Sequence, residues 1–338
     1  MSLIYSKFDF INKPWWRLDY DDRAPQYFIS SIKRLQQAIL LSIENEDELF
    51  WKGFMDLHRE HYLMECISVE GNIDLNVIQQ LLKKSHFKGF LTYVCGIVFP
   101  RTIFRPILHL ASYICRIIFG DSNIYRIMFG PSRSSHLVKK IQNLHDTINS
   151  IFPSIFFLNL PMNHFTPLLA QQLHQQIGNG LIKNAGLYRT QYVMAAQENY
   201  VYLAPNLIED RMEELFRQCQ EKFGKEELDL DEAIKFGACF LTHFLYIHPF
   251  MNGNGRVARL LLSYLLSKFT VVPLSLYMGT KTRDLYLQCL RESRYHEPFL
   301  PNALATFILE NESLRMEELG ILKLKDNSQF LKILLYIA

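Results

Sequence analysis

The sequence predicts a mainly α-helical fold carrying one small β-hairpin. Two observations lead there. Apolar residues recur at helical spacing over most of the chain, as in Phe28, Ile29, Ile32, Leu35, Ala38 and Ile39. Residues 186–203, GLYRTQYVMAAQENYVYL, have a different texture: two strand-like runs, residues 192–195 and 200–203, flank a short polar turn.

The elements follow in order. An N-terminal helical region, residues 1–82, holds helices expected at 24–43, from 46 to about 67, and at 74–82, the last with Asp74 as its cap. Trp15 and Trp16 are placed to anchor the first segment on the core. Residues 83–140 contain ten Lys or Arg and one acidic residue, Asp121, among long apolar runs. Pro100 and Pro106 cut those runs into pieces too short to cross a bilayer. Two readings of residues 87–130 stay open: an element lying on an anionic membrane surface, or an extra helical subdomain with solvated basic residues. Nucleic acid is not expected as a partner, because the apolar content is too high for a phosphate-tracking groove. Residues 141–313 form the expected core. Leu137, Ile141, Leu144 and Ile148 mark one helix, residues 167–177 another, and helical spacing resumes from Leu207 to Glu310. Residues 314–338 read as a closing helix or tail.

Composition narrows the class. Apolar residues are 49% and charged residues 21% of 338, enough for a sizeable core. The formal charge of +2 says little about partners. Six cysteines lie scattered without a CxxC pair, which fits buried thiols in a reducing compartment. The start, MSLIYSKFDFINKPWW, lacks the pattern of a secretory signal. A cytoplasmic location is expected, or export into a host cell by a specialised secretion system. No P-loop, Rossmann fingerprint or kinase motif set occurs. His58 and His61 stand three apart without a third ligand, so they read as a solvated face.

The chemistry concentrates in residues 248–259, HPFMNGNGRVAR. His248 ends one apolar helix, because Pro249 cannot continue it. Asn252, Gly253, Asn254 and Gly255 form a loop of small residues leading into a second apolar helix. Backbone amides converge at such a helix start and suit an anion. Arg256 and Arg259 lie three apart at the same end. An amide nest, two cations and a histidine able to take a proton are the parts of phosphoryl or nucleotidyl transfer.

This string closely resembles the signature of the Fic family, HPFx(D/E)GNGRxxR, at His248, Pro249, Phe250, Gly253, Asn254, Gly255, Arg256 and Arg259. The resemblance implies a Fic-type helical bundle that moves AMP from ATP to a Ser, Thr or Tyr hydroxyl of a target protein. It implies His248 as general base. Gly253, Asn254 and Gly255 would hold the α- and β-phosphates, Arg256 would neutralise charge, and Arg259 would grip the γ-phosphate. One position departs: Asn252 stands where the family has Asp or Glu to hold Mg²⁺. A neutral amide oxygen can still ligate Mg²⁺, less strongly. Two more stretches resemble the family. Tyr192, Val193, Met194, Tyr200, Val201 and Tyr202 would be the target-binding flap, which can pair with an extended segment. CISVEGN, residues 66–72, resembles the inhibitory motif (S/T)xxxE(G/N), with Glu70 as the inhibitory carboxylate and Cys66 in the Ser/Thr place. Gly71 and Asn72 are also good helix stops, and both readings can hold. The leading function is autoinhibited protein adenylylation. The alternatives are removal of AMP from a modified target, transfer from another nucleotide, and a nucleotide-dependent binding module. Oligomeric state is not legible.

Overall fold

The computed structural model describes residues 8–18, 20–43, 56, 58, 59, 62, 63, 66, 133–152, 160–195, 200–225, 228–270, 273, 274, 276, 280–296 and 299–325. Glu70, the helix expected at 74–82 and most of the basic apolar stretch 83–140 lie outside them.

Eight α-helices are present among the described residues: α1 (Pro25–Ile43), α2 (Arg133–Ile151), α3 (Pro167–Gly178), α4 (Ile208–Phe223), α5 (Leu230–Ile247), α6 (Asn254–Leu266), α7 (Thr280–Ser293) and α8 (Asn302–Lys325). The protein is mainly helical, as its periodicity predicts. None of the described helices is long and apolar enough to cross a membrane. Local chemistry sets the boundaries. Thr166 caps α3 by accepting the Leu169 N–H at 3.4 Å, and Pro167 occupies the first turn, where no amide bond is lost. Glu209 and Asp210 in the first turn of α4 and Lys222 in its last turn complement the helix dipole. The buried residues of α4, Ile208, Met212, Leu215, Phe216, Cys219 and Phe223, form one stripe.

The core is layered around α6, of whose residues all but Gly255 are buried. It packs on α5 and α3; α8 packs on α1, α5 and α7, and α2 on α3. At Gly237 in α5 a side chain would begin 3.0 Å from Leu262 Cδ1, so the missing Cβ lets α5 and α6 approach closely. Phe165 anchors the centre, stacked on Phe216 at 4.7 Å between centroids and 5.5 Å from both Phe240 and Tyr264. Phe165→Ala is expected to destabilise the fold by about 3–5 kcal/mol through the cavity it leaves, read as a lower urea midpoint.

The N-terminal segment docks on α8. Ile11 N–H donates to Thr306 Oγ1 at 2.9 Å, Trp16 Nε1 to Glu310 Oε2 at 2.8 Å, and Arg17 pairs with Glu310. Trp16 is thus the anchor, whereas Trp15 stays exposed, edge-on to Trp16. His58 overturns the expectation of a solvated face: it is buried, and its Nδ1 accepts from Arg315 Nη2 at 3.0 Å. Its neighbour His61 lies outside the described residues. Cys66, Cys219, Cys239 and Cys289 are buried thiols.

The expected hairpin is corrected. No strand pair forms among the described residues; the two runs meet in one antiparallel bridge, Met194 to Val201. Ala195 N–H donates to Tyr200 O at 2.9 Å and Tyr202 N–H to Val193 O at 3.2 Å. The ladder stops because the next groups are used elsewhere. Leu203 N–H goes to Tyr246 O at 3.3 Å, and the Leu203 and Gln191 carbonyls both accept from Arg189. Two short arms without a covered face hold few rungs.

Candidate active site

His248 stands where α5 must end. The residue before a proline is driven from the helical region, and His248 adopts φ 48°, ψ 58°, the sole non-glycine residue with positive φ among those described. Left-handed backbone costs an ordinary residue about 1–2 kcal/mol, and such strain clusters at functional sites. The ring is oriented twice. Nδ1 lies 3.3 Å from the Leu245 carbonyl, which can only accept, so Nδ1 carries the hydrogen and Nε2 keeps its lone pair. Tyr202 stacks on the other side, with centroids 3.8 Å apart and planes 18° apart. Burial pulls the His248 pKa down to about 4, opposed by the Leu245 carbonyl and assisted by the charges of Arg189 and Arg294. The imidazole is therefore neutral at pH 7, in the tautomer a proton acceptor needs.

The loop after it is fixed by Asn254. Its Oδ1 accepts the Phe250 N–H at 2.9 Å and its Nδ2 donates to the Phe250 carbonyl at 2.7 Å. Both ends of this buried carboxamide therefore shape the loop, and the anion-facing group that Asn254 offers is its main-chain amide. Gly253 caps α6 at φ 81°, a conformation glycine adopts without penalty. The amides of Asn254 and Gly255 open the helix without carbonyls a turn behind them. Gly255 also leaves room for a cation, and Gly253 lies beside another. A Cβ on Gly253 would stand 3.6 Å from Arg256 Nη2, and one on Gly255 3.2 Å from Arg259 Nη1. Two buried guanidiniums thus fold back over the start of α6.

Asn252 is exposed, and its Oδ1 accepts the Gly253 N–H at 2.7 Å. Among the described residues no group of three or more His, Cys, Asp or Glu could hold a metal. A Mg²⁺ ion brought by a nucleotide would take its charged oxygens from the phosphates, and Asn252 could add only one neutral oxygen to them.

The sequence did not single out His174, the fastening of this loop. It is buried on α3, and its ring lies parallel to Phe250 at 3.9 Å. Nδ1 accepts the Gly186 N–H at 2.8 Å, so Nε2 is the donor to the Asn252 carbonyl at 2.9 Å. Burial chiefly lowers its pKa to about 4.

The six flap residues divide. Tyr192, Met194 and Val201 are exposed; Val193, Tyr200 and Tyr202 are half-buried. Tyr202 covers His248, and Arg294 lies 4.4 Å over the Tyr200 ring. Arg294 also went unnoticed in the sequence, since a lone arginine after α7 carries no pattern.

Tyr62 and Cys66, which precede Glu70 in sequence, are hydrogen-bonded to α6. Ser263 Oγ donates to the Tyr62 hydroxyl at 3.0 Å, and Arg259 Nη2 donates to the Cys66 carbonyl at 3.3 Å.

A strained histidine, a helix start with open amides and two buried guanidiniums are groups suited to a phosphate, set on a helical scaffold. Residues 164–266 match the model of the Fic/DOC family. A Fido domain-containing protein of Dictyostelium discoideum is 31% identical over 139 residues, spanning 40% of this chain and 90% of that protein. The chain belongs to the Fic family, whose membership supports a transferase of the AMPylation type or a related one. Solved structures share the fold. Residues 134–508 of Fic-1 from C. elegans align with a TM-score of 0.57 at 15% identity, covering 89% of this chain and 74% of that one. A Fic family protein from Desulfovibrio desulfuricans G20 aligns at 0.55 and 13% identity, covering 90% and 76%.

Proposed function

We propose that this protein transfers AMP from ATP to a Ser, Thr or Tyr hydroxyl of a target protein, and that Glu70 restrains it. The observation that carries the reading is the neutral His248, with Nε2 unprotonated, next to the amides and guanidiniums at the start of α6. The acceptor hydroxyl would lose its proton to Nε2 as its oxygen bonds to the α-phosphorus. The bond from that phosphorus to the bridging oxygen breaks, and pyrophosphate leaves with the electron pair. Arg256 and the Asn254 and Gly255 amides would hold the charge that gathers on the phosphates. Asn252 would help hold Mg²⁺, which screens that charge when bound. Exposed Tyr192, Met194 and Val201 would receive the target segment.

Inhibition by Glu70 draws support from Arg259. Its guanidinium already reaches the Cys66 carbonyl, four residues before Glu70. A carboxylate paired with Arg259 would compete with the γ-phosphate and repel the triphosphate.

The test is transfer of label from α-labelled ATP, with Mg²⁺ and cell lysate as acceptor. Glu70→Gly is expected to label itself or lysate proteins strongly, the native chain is expected to label them only weakly, and Glu70→Gly combined with His248→Ala should give no detectable label. Labelling by none of them, with nucleotide still bound, would sink the reading. It would favour another donor, AMP removal or a binding role, with Asn252 as the residue responsible.

A further inference from the structure

The buried guanidinium of Arg189 ties three separated pieces of chain together. Only 3% of this residue is exposed. Its Nε donates to the His248 carbonyl at 2.7 Å and its Nη1 to the Gln191 carbonyl at 2.7 Å. Its Nη2 donates to the Leu203 carbonyl and, at 3.2 Å, to that of Ile247. Its main-chain N–H adds a bond to the Pro249 carbonyl at 2.8 Å. Ile247 and His248 are the end of α5, while Gln191 and Leu203 flank the two flap arms. The carbonyl end of α5 carries partial negative charge, which explains how a cation is tolerated at this depth.

The consequence is geometric. His248 holds a strained backbone, and Arg189 grips its carbonyl. Tyr202 covers the His248 ring, and the carbonyl of the next residue, Leu203, is gripped by the same guanidinium. The distance between base and flap is therefore held by this planar side chain, together with the Leu203 N–H bond to the Tyr246 carbonyl. We propose that Arg189 is a positioning residue that locks the flap to His248, so that an acceptor hydroxyl laid along the flap meets Nε2. It serves the acceptor and leaves nucleotide binding to α6. This rests on the transferase reading above. Lysine cannot replace it, because a single ammonium cannot span four carbonyls that a planar fork reaches at once.

The experiment uses the full chain carrying Glu70→Gly, alone and with Arg189→Lys. Three quantities are read: transfer of AMP onto the chain's own hydroxyls, affinity for a non-hydrolysable ATP analogue, and the NMR shifts of the His248 ring protons. Those protons lie under the Tyr202 ring and are shielded by it. Arg189→Lys is expected to slow transfer about 100-fold, the cost of misplacing reacting groups by about 1 Å. Analogue affinity should stay within about twofold, and the shielding of His248 should be lost, because only the flap-to-base geometry changes. Retained shielding overturns the proposal whatever the activity. So does a loss of analogue affinity as large as the loss of transfer, which would mark Arg189 as a general structural residue. If the Glu70→Gly parent transfers nothing, the transferase reading fails, while the NMR comparison still decides whether Arg189 holds flap to base. If Arg189→Lys does not fold, Tyr202→Ala takes its place. It must slow transfer with analogue affinity kept, and transfer at the parent rate overturns the coupling.

Discussion

In the Glu70→Gly protein, kcat/KM for AMP transfer is expected to hold level from about pH 8 to about pH 5 and to fall only near the His248 pKa of about 4. Protonation at Nε2 removes the lone pair that accepts the hydroxyl proton, so activity is present above that pKa and lost below it. The cause of the low value is burial under Tyr202 and beside α5, helped by two arginine charges. kcat should behave differently. A bound triphosphate places negative charge near the ring, stabilises the imidazolium and moves the acid limb of kcat upward. His248→Ala is expected to lower kcat by about 10²–10⁴, the usual worth of a positioned general base. Initial rates with α-labelled ATP across pH measure both. A limb of kcat/KM near about 6.5, the ordinary histidine value, would refute the burial argument. An undiminished rate in His248→Ala would remove His248 from the chemistry.

The second large effect is on stability. Burial lowers the pKa of His174, His243 and His248 to about 4 each. In the unfolded chain each titrates near about 6.5. The unfolded state therefore binds protons first as the pH falls. The stability each histidine contributes is complete above about pH 6.5 and is lost progressively down to about pH 4. For His174, almost wholly buried, the loss reaches about 2 kcal/mol at about pH 5 and about 3 kcal/mol below about pH 4. Urea midpoints at the two ends of this window measure the sum. His174→Phe keeps the ring on Phe250 and removes the titration, so its midpoint should depend less on pH. Equal pH dependence in the two proteins would show that His174 is not protonated on unfolding.

The parts legible in the sequence were those whose physics is local. Helices announced themselves by period, and the order of α3, α5 and α6 follows from Pro167, the apolar run before Pro249, and Gly253. The candidate site string was legible because histidine, loop and cations are contiguous. What escaped depends on contacts distant in sequence. His174 stands among Gln171, Gln172, Gln175 and Gln176, and its role exists only where Gly186 and Asn252 meet it in space. His58 read as solvated because Arg315 lies 257 residues away. Asn254 was assigned to phosphate by resemblance, while its side chain serves Phe250. The hairpin pattern was real at Met194 and Val201, but the ladder beyond them was lost to Arg189 and Tyr246, whose demand for carbonyl and amide no local rule contains.

The docking of residues 8–18 and α1 on α8 also fixes when the molecule can finish folding. The bonds from Ile11 to Thr306 and from Trp16 to Glu310 span 295 and 294 residues. At about 5–20 residues per second, a ribosome needs about 15–60 seconds to make the partner helix. Through that interval Phe28, Ile29 and Ile32 have no α8 to cover them, whereas residues 164–266 can gather around α6 as they emerge. The nascent chain thus carries an uncovered amphipathic first helix until α8 arrives, the situation in which a holding chaperone matters most.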